Sequence, residues 1–307
     1  MQSTRNTPFQ GVYPAIVTPF EDDGSIDFES LGAIVEWLED CGVDGIVPVG
    51  STGESATLTH DEHIEVVEAV VDAVEDVPVI AGSGSNNTAE ALELSQRSAD
   101  AGADALLLIS PYYNKPEQAG LRQHYRQIAD AVDLPQIVYN VPGRTGQNIE
   151  PDTAVELARH EKIQGYKAAS GDLGQITEIV ERTENEDFVV LSGDDALTLP
   201  MLSVGATGTI SVAANVEPAR CGELVHSALE AEYKRARRVH HELGPLFRAL
   251  FIETNPIPVK EAMAIRGHCG PTIRSPLTRL SPPAREELRA VLEALDRPAD
   301  RPEREAV

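Results

Sequence analysis

The chain has 307 residues and a formal net charge of −25. That acidity excludes nucleic acid as a partner, because phosphates would be repelled. No apolar run approaches the length that a membrane-spanning helix needs. Hydrophobic residues make up 41% of the chain and recur at regular spacing. This predicts one large folded domain, or one domain with an appendage, in place of the disorder that strong acidity can bring.

The first nine residues are polar and lack the apolar stretch of a signal peptide. Cys41, Cys221 and Cys269 are scattered and odd in number, which speaks against a disulfide framework or a zinc site and suits a reducing cytoplasm. Only five lysines stand against fifty acidic residues. An acidic, lysine-poor surface on an ordinary core predicts adaptation to high salt, where ions screen the self-repulsion.

Apolar strands and amphipathic helices alternate from the start. A first strand is predicted over 11–18, then a helix over 28–40 with Leu31, Ile34, Val35 and Leu38 on one face. A second strand over 45–49 runs into the turn Gly50-Ser51-Thr52-Gly53-Glu54-Ser55. Thr59 is the N-cap of the next helix, with Glu62 completing a capping box. A third strand over 78–82 precedes a helix over 88–101, a fourth over 105–109 a helix over 118–131, and a fifth over 136–141 a helix over 151–160. The sixth strand, 164–169, is followed by a helix over 172–183. The seventh lies over 188–192 and the eighth over 208–211. Eight such units predict a parallel sheet closed as a (β/α)8 TIM barrel. An open doubly wound sheet is the alternative, but no glycine-rich dinucleotide turn has the right spacing. Beyond the barrel (residues 1–216) only helices are expected: 219–238, 240–253, 258–265 and 283–295. They make a C-terminal helical domain (217–296), and a polar tail (297–307) follows.

The sixth strand, Gln164-Gly165-Tyr166-Lys167-Ala168-Ala169, places a lysine in an apolar setting. Burial disfavours an ammonium, so such a lysine either carries its head out to water or becomes a neutral amine able to form a Schiff base with a ketone. The groups expected with it at the C-terminal strand ends are Ser51, Thr52, Tyr112, Tyr113, Tyr139, Arg144, Gly193 and Ile210. Tyr139 can move protons, Ser51 and Thr52 can hold a carboxylate, and Arg144 can clamp a second one. Each also has a plainer reading: a tight turn, a core tyrosine, a surface cation. Together they suit Schiff-base addition of a 2-oxo acid to an aldehyde. His60 and His63 at a helix start resemble a metal pair but lack a third ligand nearby. Gly82-Ser83-Gly84-Ser85 is either a phosphate cradle or a plain turn. Asp194-Asp195 suits magnesium or a helix N-cap.

Five segments resemble the dihydrodipicolinate synthase family: Gly50-Ser51-Thr52-Gly53-Glu54-Ser55, Pro111-Tyr112-Tyr113-Asn114, Tyr139-Asn140-Val141-Pro142-Gly143-Arg144, Tyr166-Lys167 and Ser192-Gly193-Asp194-Asp195. Asn255-Pro256-Ile257-Pro258-Val259-Lys260 fits it as well, and the resemblance runs from about Gly11 to Arg279. It implies a barrel with a C-terminal helical domain, a homotetramer built as a dimer of dimers, and no metal or organic cofactor. The implied reaction condenses pyruvate with L-aspartate-4-semialdehyde on the route to diaminopimelate and lysine. Lys167 would carry the imine. Tyr139, Ser51 and a neighbouring subunit's Tyr113 would relay protons. Thr52, Gly193 and Ile210 would line the pyruvate end, and Arg144 would bind the semialdehyde carboxylate. An inhibitory L-lysine pocket is implied at Ser55, Ala56, His60, His63, Asn86, Glu90 and Tyr112. Two positions depart from the pattern: Ser51 stands where threonine is usual, and Ala168 where an acid often follows the lysine. A 2-keto-3-deoxygluconate-type aldolase and a non-catalytic oxo-acid or lysine sensor are the competing readings.

Overall fold

The computed structural model describes residues 9–296; the polar tail expected over 297–307 lies outside the described residues. Its sheet has seven parallel strands: β1 (Gly11–Pro14), β2 (Ile80–Gly82), β3 (Ala105–Ile109), β4 (Gln136–Asn140), β5 (Ile163–Ala168), β6 (Val189–Ser192) and β7 (Gly208–Ser211). Their spatial order is β1-β7-β6-β5-β4-β3-β2. The strand expected over 45–49 is present only as two isolated pairings, Ala15 with Val47 and Ile46 with Val79. Proline explains the difference, since Pro14, Pro48 and Pro78 bring no N–H to a ladder. Their carbonyls still accept: Val47 N donates to Pro14 O at 2.9 Å, Ile46 N to Pro78 O at 2.9 Å and Gly82 N to Pro48 O at 3.1 Å. This eighth stave closes β1 onto β2, and the sheet is a TIM barrel.

Side chains alternate between two cores, as period-two strands require. Ile80, Leu107, Ile137, Tyr139, Leu191 and Ile210 fill the barrel interior. Leu106, Leu108, Val138, Tyr166, Ala168 and Val190 face the surrounding helices. Those helices are α1 (Phe28–Asp40), α2 (His60–Ala73), α3 (Thr88–Asp100), α4 (Gln118–Ala131), α5 (Pro142–Thr145), α6 (Pro151–Leu157), α7 (Leu173–Arg182) and α8 (Thr198–Ser203). The periodicity of α1 buries Leu31, Ile34, Val35 and Leu38, and Asp27 caps it. The capping box of α2 forms in both directions, with Glu62 N on Thr59 Oγ1 at 3.2 Å and Thr59 N on Glu62 Oε2 at 2.9 Å. The short α5 and α8 were not expected from periodicity, since four and six residues are too few to show it.

The remaining helices are α9 (Pro218–Leu229), α10 (Tyr233–Ala249), α11 (Ile257–Arg266) and α12 (Pro282–Leu295). The break between the first two falls at 230–232, not near 239 as the sequence suggests. Ala231 adopts φ +62° there, a left-handed turn conformation that ends α9. The next helix then runs through Pro245. Helix α9 lies against β1 and α10, and α12 packs on α10 and α11. This arrangement carries residues 251–255 to the mouth of the barrel.

Candidate active site

Parallel register sets the centre of the site. Tyr139 of β4 pairs with Lys167 of β5, which pairs with Leu191 of β6. Tyr166 and Ala168 face the helices, so Lys167 points into the barrel. The amine is not carried out to water: Lys167 is only 6% exposed. Its Nζ lies 4.2 Å from the centre of the Tyr139 ring. Burial pulls the lysine pKa down to about 7; the Asp195 carboxylate opposes this and the Arg144 guanidinium adds to it. Near neutral pH a large share of Lys167 is therefore the neutral, nucleophilic amine. Burial pushes the Tyr139 phenol up to about 12, against a smaller pull from Arg144. It is thus a proton-bearing hydroxyl that can donate and accept in turn. Gly193 leaves room for the lysine: a Cβ there would stand 3.0 Å from Lys167 Cε and 3.1 Å from Ala169 Cβ.

The Ser51–Thr52 turn is held from several sides. Thr18 Oγ1 donates to Gly53 O at 2.7 Å. Glu54 takes φ +54° and turns a fully buried carboxylate onto Lys260 Nζ at 2.8 Å and Arg274 N at 3.0 Å. Lys260 Nζ also donates to Thr18 O at 2.6 Å and Thr272 O at 3.2 Å. Thr52 is buried, and its Oγ1 accepts from Asn255 Nδ2 at 3.1 Å. Arg144, on α5, donates from Nη2 to Asn255 O at 2.9 Å. One residue of the loop between α10 and α11 thus touches both carboxylate-binding candidates. Ile210 is buried on the inward face of β7, beside Tyr13 in register.

Tyr113 is not part of this cluster. It is 90% exposed at φ +70°, with its ring in solvent. Tyr112 is 38% exposed, so much of its ring is covered.

Part of the second constellation comes together away from the barrel axis. His60 Nε2 lies 3.0 Å from Glu90 Oε1, and the other Glu90 oxygen accepts from Ser85 Oγ. Asn86 O accepts from Asn114 Nδ2 at 2.8 Å. The Tyr112 phenol is raised, mainly by burial and then by the Glu90 charge, against a hydrogen bond with Ser85. His63 is buried, which drives its pKa down to about 4 and keeps the ring neutral. The two histidines are therefore differently engaged, one with a carboxylate and one in the core. Ser55 and Ala56 sit in the 3₁₀ turn Ser55–Thr57 that precedes α2.

The remaining glycine and aspartate motifs have structural explanations. A Cβ on Gly84 would meet Ile109 N at 2.3 Å, and one on Gly82 would meet Val49 O at 2.6 Å. These glycines allow strands to approach closely. Asp194 caps the turn that follows β6, accepting from Ala196 N at 3.0 Å. Asp195, in contrast, turns inward. It accepts from Ser211 Oγ at 2.5 Å, Val212 N at 3.1 Å and Ala213 N at 2.9 Å. Burial raises its carboxyl pKa.

The sequence assigns no role at the site to Asn255 or to the Glu54–Lys260 pair, and it reads Asp195 only as half of a doublet suited to magnesium or a helix N-cap. The Asp194-Asp195 doublet was visible, but nothing local distinguishes the capping member from the inward one.

A family model described as the dihydrodipicolinate synthetase family matches residues 8–295. A protein of Haloarcula marismortui named 4-hydroxy-tetrahydrodipicolinate synthase is 71% identical over 288 residues, 94% of each chain. The crystal structure of the chloride-inhibited dihydrodipicolinate synthase from Acinetobacter baumannii complexed with pyruvate is 44% identical, with a TM-score of 0.92 over 93% of this chain and 98% of that one. The structure of the Cyanidioschyzon merolae enzyme with lysine bound is 41% identical, with a TM-score of 0.90 over 94% of this chain and 98% of that one.

Proposed function

The chain belongs to the dihydrodipicolinate synthetase family, and from that premise we propose how its own residues condense pyruvate with L-aspartate-4-semialdehyde. The observation that carries the assignment is a buried lysine, with a pKa lowered to about 7, next to a buried tyrosine in register. Neutral Lys167 attacks the pyruvate ketone. Tyr139 protonates the carbinolamine oxygen, and water leaves to give the imine. Loss of a methyl proton gives an enamine whose carbon attacks the aldehyde. The substrate amine then displaces Lys167 and closes the ring.

Having given its proton to the carbinolamine oxygen, Tyr139 regains one through the Ser51 hydroxyl from Tyr113 of the neighbouring subunit. The solvent-facing Tyr113 ring supports this placement, since at 90% exposure it is left available to a neighbouring subunit. The assembly is a homotetramer in which tight dimers exchange Tyr113. Thr52, Gly193 and Ile210 line the pyruvate end. Arg144 binds the semialdehyde carboxylate at the mouth. No metal or organic cofactor takes part. Residues 1–216 form the catalytic domain and 217–296 the helical domain. No described helix is long and apolar enough to cross a membrane, and the enzyme works in the cytoplasm.

L-Lysine inhibits by binding the pocket of Ser55, Ala56, His60, His63, Asn86, Glu90 and Tyr112, with Glu90 receiving an ammonium of the effector. The His60–Glu90 pair supports this, because it holds the carboxylate in place. An unchanged rate at millimolar L-lysine would remove this part of the reading.

The test is pyruvate consumption in molar potassium chloride, with L-aspartate-4-semialdehyde and D-glyceraldehyde side by side, together with borohydride trapping of pyruvate on Lys167. Preference for the semialdehyde is expected. Preference for glyceraldehyde would move the chain to sugar-acid cleavage, and no trapping at all would leave a sensor.

A further inference from the structure

The cleft at the barrel mouth has a volume of about 470 Å³ and is lined by Arg144, Phe251, Ile252, Glu253, Thr254 and Asn255. Two acceptors in it have work left to do. Asn255 is 5% exposed, and its Oδ1 is buried with no hydrogen-bond partner among the described residues. A buried acceptor left unpaired is costly, so a donor belongs there in the working state. Glu253 is half-buried; its Oε1 accepts from Ser281 N at 3.3 Å, and among the described residues no cation pairs with it. Arg144, the cation of this cleft, is already bound to the Asn255 backbone carbonyl at 2.9 Å. The cleft is therefore lined by one guanidinium, by a half-buried carboxylate and, two residues on in sequence, by an amide whose buried oxygen would have to turn outward to meet a ligand.

A ligand that satisfies this set carries an anion and a cationic donor on one carbon. L-Aspartate-4-semialdehyde does so, with a carboxylate and an ammonium on the same carbon. We propose that Glu253 and Asn255 Oδ1 receive the substrate's α-ammonium while Arg144 holds its α-carboxylate, so that this pair selects an amino aldehyde over its deaminated analogue. The proposal rests on the reading that Arg144 binds the semialdehyde carboxylate. It adds a recognition element for the group that must later close the ring, and it gives a reason for the 251–255 loop to stand over the mouth. Glyceraldehyde offers neither charge and would gain nothing from the pair.

The test compares two aldehydes that differ only at this group. One reading is the KM of L-aspartate-4-semialdehyde. The other is the inhibition constant of succinic semialdehyde, which keeps the carboxylate and lacks the amine. Glu253→Gln is expected to raise the KM about fivefold, as for a half-exposed charge pair, and to leave the inhibition constant unchanged. Asn255→Leu is expected to raise the KM about tenfold. Asn255→Asp keeps an acceptor there, and the Thr52 hydroxyl can donate to it, so this variant recovers most of the loss. Because Arg144 bonds the backbone of residue 255, none of these changes removes that contact. KM and inhibition constant rising together, neither moving in Glu253→Gln, or Asn255→Asp behaving like Asn255→Leu would each overturn the proposal. Arg144→Gln separates it from the reading beneath. Raising both constants sustains the Arg144 role whatever Glu253 does; raising neither removes that role and the proposal with it.

Discussion

Removing Lys260 is expected to unlock the turn that carries Ser51 and Thr52. Its side chain is 1% exposed and the Glu54 side chain opposite is 0% exposed, with 2.8 Å between Nζ and Oε1. Thr18 O at 2.6 Å and Thr272 O at 3.2 Å complete the ammonium's hydrogen bonds, and the Phe20 ring centre lies 4.5 Å away. In Lys260→Met the apolar stem is nearly conserved, but the Glu54 carboxylate stays buried with only the Arg274 amide at 3.0 Å. Stranding one member of a buried pair costs about 3–5 kcal/mol, whereas replacing both members is often close to neutral. For a chain of this size that corresponds to a drop in Tm of roughly 5–8 °C. The double change Lys260→Met with Glu54→Gln keeps an acceptor for Arg274 N and is expected to recover more than half of the loss. The assay is thermal unfolding at constant protein and salt concentration, followed by borohydride trapping of pyruvate at a temperature where every variant is folded. Trapping should fall in the single variant, since Glu54 directly follows Gly53. A single-variant cost below about 1 kcal/mol, or strictly additive effects of the two changes, would refute the reasoning, because the pair would then not be a coupled buried unit.

Three further outcomes follow from the site and the surface. The rate of pyruvate imine formation should rise with pH through about 7 and then level off, as Lys167 loses its proton; Asp195→Asn should shift that limb to lower pH and Arg144→Gln to higher pH, read from pH–rate profiles of the trapping step. Gly193→Ala should abolish most trapping while costing about 1–3 kcal/mol of stability, because the new methyl crowds Lys167 Cε at 3.0 Å. His226 is bonded to Asp44 at 2.8 Å, and this partner raises its pKa above the ordinary histidine value; its stabilisation is thus present in full below about pH 6.5 and lost as pH rises through the higher folded value, so His226→Gln should destabilise by a few tenths to about 1 kcal/mol at pH 6 and by less at pH 9 in paired melts.

Much of the barrel was legible because its signals are local. Periodicity located α1 and α4, and the fourth and eighth predicted strands, to the residue. The capping box of Thr59 and Glu62 was read from two letters three positions apart. Lys167 and Tyr139 were legible for a related reason: strand order and alternation place neighbouring strands' inward residues side by side. The second stave was overestimated because hydrophobicity does not report the three prolines that thin its ladder. Contacts across the whole chain were invisible. Asn255 meets Thr52 across 203 residues, and Lys260 meets Glu54 across 206. Neither spacing has a period, and neither side chain differs in type from a surface residue.

The two buried lysines show why residue type alone could not have assigned their roles. Burial lowers the pKa of both Lys167 and Lys260. Lys260 is held by a carboxylate and two carbonyls at hydrogen-bond distance, so its ammonium is fully engaged and has no face for a substrate. Lys167 has the Tyr139 ring beside it, and Asp195 acts on it only through space while spending its own oxygens on Ser211, Val212 and Ala213. A buried amine that is hydrogen-bonded on all sides is an anchor, and one left with a ring and a distant charge is free to act as the nucleophile we propose. The partners come from the segment after β1, the end of the Ser51–Thr52 turn and the loop between α11 and α12 in one case, and from β4 and the turn after β6 in the other. Chemistry at this site is therefore assigned by the fold's choice of neighbours for each lysine, and moving a neighbour should change the role as surely as changing the lysine itself.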